Sequence, residues 1–154
     1  MATTEQERRD FLYRSVGETV HLAQTLELQV ATLISLLNNH FDTDIDVHGL
    51  IVPDHRKTLG QLMQQLRSVG TADENGERIL AEALEKRNRI VHEFFNKNVK
   101  AFSVDEVFQT TKAKLISDSE TIAKAVAVTQ GWLLGLCETL GIEEHEILFN
   151  QDML

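Results

Sequence analysis

Apolar residues recur along this chain at helical rather than strand spacing. Leu12, Val16, Ala23, Leu26, Val30, Leu33 and Leu37 fall on one face at about 100° per residue. They predict one long first helix over roughly residues 12–37, with Gly17 as the point where it would bend. Residues 39–56 break the pattern with Asn39, four aspartates, Gly49 and Pro53, and read as a long connection. A shorter helix is predicted over about 54–69, ended by Gly70. Thr71-Ala72-Asp73-Glu74 has the spacing of a capping box and opens a third helix running to about Asn98, with Gly76 as an early irregularity. A second box, Ser103-Val104-Asp105-Glu106, opens a long fourth helix whose apolar face carries Phe108, Leu115, Ile122, Val126, Leu133 and Cys137. Gly141 would stop it, and residues 142–150 have room for one more short helix. Together these elements predict an all-α, up-and-down bundle of four to five helices.

Length and composition agree with that reading. The 154 residues fit one domain spanning 1–154, large enough to bury roughly 70% of the surface of the unfolded chain. A hydrophobic share of 42% beside 25% charged residues is that of a globular chain, and a single proline leaves little punctuation for a many-turned β-protein. The lone cysteine, Cys137, excludes an intramolecular disulfide and a cysteine-rich zinc site. The polar start Met1-Ala2-Thr3-Thr4-Glu5 has no apolar core of a signal peptide. Val16 to Leu37 is interrupted by Glu18, His21 and Glu27, unlike a membrane span. A soluble, cytoplasmic protein with no membrane partner is the expectation. The net charge of −9 disfavours general coating of nucleic acid.

Most motifs with chemical meaning fail on inspection. Asp42-Thr43-Asp44-Ile45-Asp46 begins like a calcium loop, but the positions that need glycine and a bidentate glutamate hold Val47 and Pro53. His40, His48 and His55 lie near it, without the i, i+4 pair of a zinc-binding helix, so no metal site is assigned. No glycine-rich phosphate loop and no nucleophile elbow occur, and no cofactor is implied. Cys137, Trp132, Phe108 and Phe11 read as packing residues.

The third helix is different. Leu80, Ala83, Leu84, Val91, Phe94 and Phe95 cluster into an apolar arc, with Ile90 at its margin and Arg87 near its centre. A guanidinium cannot shed its charge, so at such a position it must be paired or face a polar cleft. Lys86 and Arg89 lie off the arc and read as solvated. Asn88 and His92 share a flank at i, i+4, whereas Arg87 and His92 are about 140° apart on an ideal helix. Their convergence requires the length of arginine, a distorted helix or a second subunit. Glu27, within the apolar face of the first helix between Val20 and Ile34, is a natural partner for Arg87. A structural Glu27–Arg87 pair and a functional arginine therefore stand side by side as readings.

The string Arg87-Asn88-Arg89-Ile90-Val91-His92 resembles the Arg-x(4–6)-His motif of the HEPN superfamily, which commonly has Asn, Asp or His directly after the arginine. The predicted helical bundle is similar to HEPN domains over nearly the whole chain. The resemblance implies a metal-independent endoribonuclease of toxin or defence type, in which two domains dimerise and face their motifs across a cleft. Arg87 would then stabilise the scissile phosphate, His92 act as general acid or base, and Asn88 hold the imidazole or phosphate in place. A homodimer, an RNA substrate and an antitoxin or regulatory protein are the partners so implied. A catalytically silent HEPN-type module that binds nucleotide, RNA or protein is the alternative. Toxin members paired with a minimal nucleotidyltransferase often continue His-x-Tyr; this chain has Phe94 there, and its only tyrosine is Tyr13 in the first helix. Residues 86–100 carry a local charge of +4 from Lys86, Arg87, Arg89, Lys97 and Lys100 against Glu93, which suits a confined basic cleft on an acidic body.

Overall fold

The computed structural model describes residues 3–39, 58–69 and 73–142. Among them run four α-helices, α1 (Glu5–Asn39), α2 (Leu59–Val69), α3 (Glu74–Lys97) and α4 (Asp105–Leu140), with a 3-10 helix at Val99–Phe102 and no strand. The protein is an all-α helical bundle, as the apolar periodicity predicts. The fifth helix expected at 142–150, the acidic run at 42–46, the three nearby histidines, Gly70 and Thr71 lie outside the described residues.

Helix starts are set by local chemistry that the apolar pattern does not show. At α1 the Thr4 N–H donates to Glu7 Oε2 at 2.8 Å and the Glu7 N–H to Thr4 Oγ1 at 3.2 Å, a reciprocal capping box. This box lets a polar first turn form, so α1 begins at Glu5 rather than near Leu12, and it continues unbroken through Gly17. Thr58 and Gln61 make the same exchange at α2. At α3 the cap is Asp73, whose carboxylate accepts the Gly76 N–H at 2.9 Å. The expected box at Ser103 is not made: its hydroxyl donates instead to the Lys100 carbonyl at 3.4 Å. Gly141 does stop α4, in the left-handed region at φ 68°. Its N–H reaches the Glu138 carbonyl and the Ile142 N–H the Cys137 carbonyl, a Schellman closure.

The chain divides into two compact units, one of Met1–Gln24 with Arg78–Ala125, the other of Thr25–Glu77 with Val126–Leu154. In the first unit, Leu12, Val16, Leu80, Ile90, Phe94, Phe108 and Leu115 are buried. Arg8, itself buried, donates from Nε to the Phe102 carbonyl at 3.2 Å and from Nη2 to the Ser103 carbonyl at 3.3 Å, tying α1 to the turn before α4. In the second unit, Leu26, Val30, Leu33, Leu59, Leu62, Leu66, Leu133 and Cys137 are buried, and Gln29 bonds Thr129 and Gln130. There the half-buried Trp132 lies over Gly76, which is why α3 needs a residue without a side chain at that position. By length and composition Glu5–Leu37 would suffice to cross a membrane; half of its most apolar window is buried within the protein, the disposition of a core helix.

Candidate functional site

The site residues of α3 are placed by a buried face that is rotated from the sequence-based arc. Ile79, Leu80, Ala83, Ile90 and Phe94 are buried, so Ile90 is central rather than marginal. Val91 and Phe95, expected in the core, are exposed by 42% and 40%. The shift carries Arg87 from the centre of the apolar face to its edge, where it is half-buried, and puts Asn88 and His92 in solvent. Part of the guanidinium's bonding runs along the helix itself.

Those contacts bring the three residues together on one chain. Arg87 Nη1 donates to Asn88 Oδ1 at 3.0 Å and lies 3.4 Å from His92 Nε2. The length of arginine spans the 140° between positions 87 and 92, without a helix break. A guanidinium only donates, so the contact to His92 is a hydrogen bond when Nε2 presents its lone pair and the ring proton sits on Nδ1. Asn88 thus steadies the arginine rather than the imidazole. Glu27, half-buried on α1, belongs to the other unit.

Arg89, expected to be merely solvated, has a built partner. Its Nε donates to Asp118 Oδ2 at 3.0 Å, and its Nη2 to Asp118 Oδ1, in a bidentate pair with a carboxylate whose side chain is 7% exposed. The signal for this pair lay on α4: Asp118 falls between Leu115 and Ile122 at i, i+3, i+7, inside the apolar face. A cavity of about 70 Å³ adjoins the pair, with Glu93, Lys97, Asn98 and Lys114 also on its wall. It lies on the opposite flank of α3 from Asn88 and His92. Lys97 is bonded to Glu93, which holds the Glu93 carboxyl below the ordinary glutamate range.

Tyr13, remote from the motif in sequence, packs on α3. Its ring centroid is 5.3 Å from that of Phe95 and 5.7 Å from that of Phe102. The charge asymmetry also extends beyond the local strip to the whole unit. The unit that holds Arg87 and His92 has twelve Lys and Arg against eleven Asp and Glu, so its net charge is +1 and the other unit carries −10. Among the described residues no three His, Cys, Asp or Glu side chains are grouped to hold a metal ion. No family model, curated protein or solved structure matches the chain.

Proposed function

We propose that the protein is a HEPN-type endoribonuclease of the cytoplasm, acting on RNA without a metal, with its site completed at a homodimer interface. The observation that carries this reading is the convergence of Arg87, Asn88 and His92 at 3.0 and 3.4 Å on a half-exposed helix flank. A phosphodiester there would meet a fixed positive charge and an imidazole together. In the proposed reaction Arg87 turns from His92 to the phosphate, which frees the Nε2 lone pair to take the proton of a ribose 2′-hydroxyl as its oxygen attacks the adjacent phosphorus. The bond to the 5′ oxygen breaks, and the partner copy's imidazole protonates that leaving group. Arg87, held by Asn88, stabilises the charge that builds on the phosphoryl oxygens. Two exposed copies of the motif, rather than one, would enclose the reacting group. Glu27 is assigned a supporting, structural role. A toxin or defence setting and control by a bound antitoxin belong to the same proposal.

The test is cleavage of single-stranded RNA by purified protein in chelator, beside His92→Ala and Arg87→Ala. Each substitution is expected to lower kcat by about 10²–10⁴-fold with circular dichroism unchanged. Cleavage indifferent to both substitutions would sink the assignment.

A further inference from the structure

We propose that the exposed rings of Phe95 and Tyr13 form a stacking surface for an unpaired base of the RNA held at the Arg87–His92 site. This rests on the ribonuclease reading and names the feature of RNA that the site would select. The rings are held as a platform rather than buried as core. Tyr13 is 56% exposed and Phe95 40%, their planes tilted by only 35° at a centroid distance of 5.3 Å. Phe102 packs beside both rings, 6.3 Å from Phe95 and 5.7 Å from Tyr13. Phe94, perpendicular to Phe95 at 5.3 Å and itself buried, anchors the cluster to the core.

Position links this surface to the chemistry. Asn88, His92 and Phe95 follow one another at i, i+4, i+7, so the platform begins next to the imidazole on one stripe of α3. His92 and Phe95 are separated by about 4.5 Å along the helix axis. A base seated on Phe95 therefore leaves the phosphodiester of its own nucleotide beside Arg87 and His92.

The surroundings suit a polyanion with a flat, apolar face. The residues of this stripe from Asn88 to Val99 include no carboxylate; Glu93 lies on the other flank, bonded to Lys97. Arg14 beside Tyr13 and Lys100 beside Phe102 are exposed, and neither has a carboxylate partner among the described residues. Asp10, one turn before Tyr13 and Arg14, accepts the Gln6 side-chain amide at 2.8 Å. Stacking on an aromatic face is tolerant of base identity but needs that face free, which a duplex does not offer.

The experiment measures fluorescence anisotropy of a labelled ten-nucleotide oligoadenylate, in the His92→Ala background to prevent cleavage. Phe95→Leu and Tyr13→Leu keep apolar bulk and remove the π-face. Each is expected to weaken binding about tenfold, with helicity and sedimentation unchanged, and duplex RNA is expected to bind more weakly than the single strand. With His92 present, Phe95→Leu should raise KM and leave kcat nearly intact. Unchanged oligoadenylate affinity in both variants, or equal affinity for duplex, overturns the proposal. Conversion of a dimer to monomer by Phe95→Leu also overturns it, because the face is then covered by a second copy. Ring-dependent binding by a protein that cleaves no RNA upholds the stacking surface while refuting the ribonuclease.

Discussion

Replacing Gly76 by alanine should destabilise the protein, although helix propensity alone says the opposite. In a helix interior alanine is favoured over glycine by about 1 kcal/mol. A Cβ at position 76, however, would lie 2.2 Å from Trp132 Cζ2, 2.7 Å from Cη2 and 2.7 Å from Asp73 Oδ1. Carbon atoms rest at roughly 3.5–4.0 Å, so the indole must retreat by more than an ångström within a packed unit. Overpacking of that kind costs about 1–3 kcal/mol. The methyl group also presses on the Asp73 carboxylate that caps α3, a contact worth about 1 kcal/mol. The two penalties exceed the propensity gain, and a net loss of about 1–3 kcal/mol follows. Urea unfolding, read by far-UV circular dichroism and by the emission of the single tryptophan, measures it. Gly17, Gly131 and Gly135 supply the internal control, since a Cβ at each would meet nothing within 4 Å. Alanine at any of these three should stabilise by about 0.5–1 kcal/mol. Combining Gly76→Ala with Trp132→Leu should recover part of the loss, as expected of two positions that share one space. A Gly76→Ala protein as stable as its parent would refute the close approach of α3 and the indole.

Two further outcomes rest on polar contacts. Arg89→Ala strips both donors from a nearly buried Asp118 carboxylate. It should cost about 3 kcal/mol in urea unfolding, and the Arg89→Ala/Asp118→Ala double variant should lose less than the two single losses combined; a loss under about 1 kcal/mol for Arg89→Ala would contradict the pair. Glu7 is held below the ordinary glutamate range by the hydrogen bonds from Thr4. Its folded value is lower than its unfolded one, so its contribution is present above the unfolded value and fades as pH falls through the folded one. Amide exchange in the first turn of α1 should therefore accelerate, relative to the rest of the helix, only at pH below the usual glutamate range. Thr4→Ala removes the hydroxyl and leaves the main-chain N–H of residue 4, so it should raise the Glu7 titration midpoint, followed by NMR, only part of the way to the ordinary range; an unmoved midpoint would exclude the Thr4 hydroxyl as a cause.

The fold class was legible because burial on the long helices follows a nearly perfect seam, and the apolar residues mark enough of it. On α4 the buried positions are Phe108, Thr111, Leu115, Asp118, Ile122, Ala125, Thr129, Leu133 and Cys137, spaced three or four apart throughout. Hydrophobicity reveals the apolar members and passes over Thr111, Asp118 and Thr129. Each of these has a partner: Asn98 for Thr111, Arg89 for Asp118, Gln29 for Thr129. On α1 the same seam includes Arg8 and Thr19, the first bonded to main-chain carbonyls of Phe102 and Ser103, the second to the Ser15 carbonyl. A polar residue at a seam position is therefore a sequence signal in its own right, since burial there demands a partner. Arg89 illustrates the cost of omitting this step. Its own helical angle places it off the apolar arc, and its role follows from Asp118, a nearly buried carboxylate in need of donors. Arg89 meets Asp118 on one flank of α3, while Ile90 lies inward and Val91, His92 and Phe95 lie outward. The motif was legible as a string of residue types. Its exposure, and the aromatic face beside it, follow from how α3 is turned in its unit, with Ile79, Leu80, Ala83, Ile90 and Phe94 inward, which the string of residue types does not state.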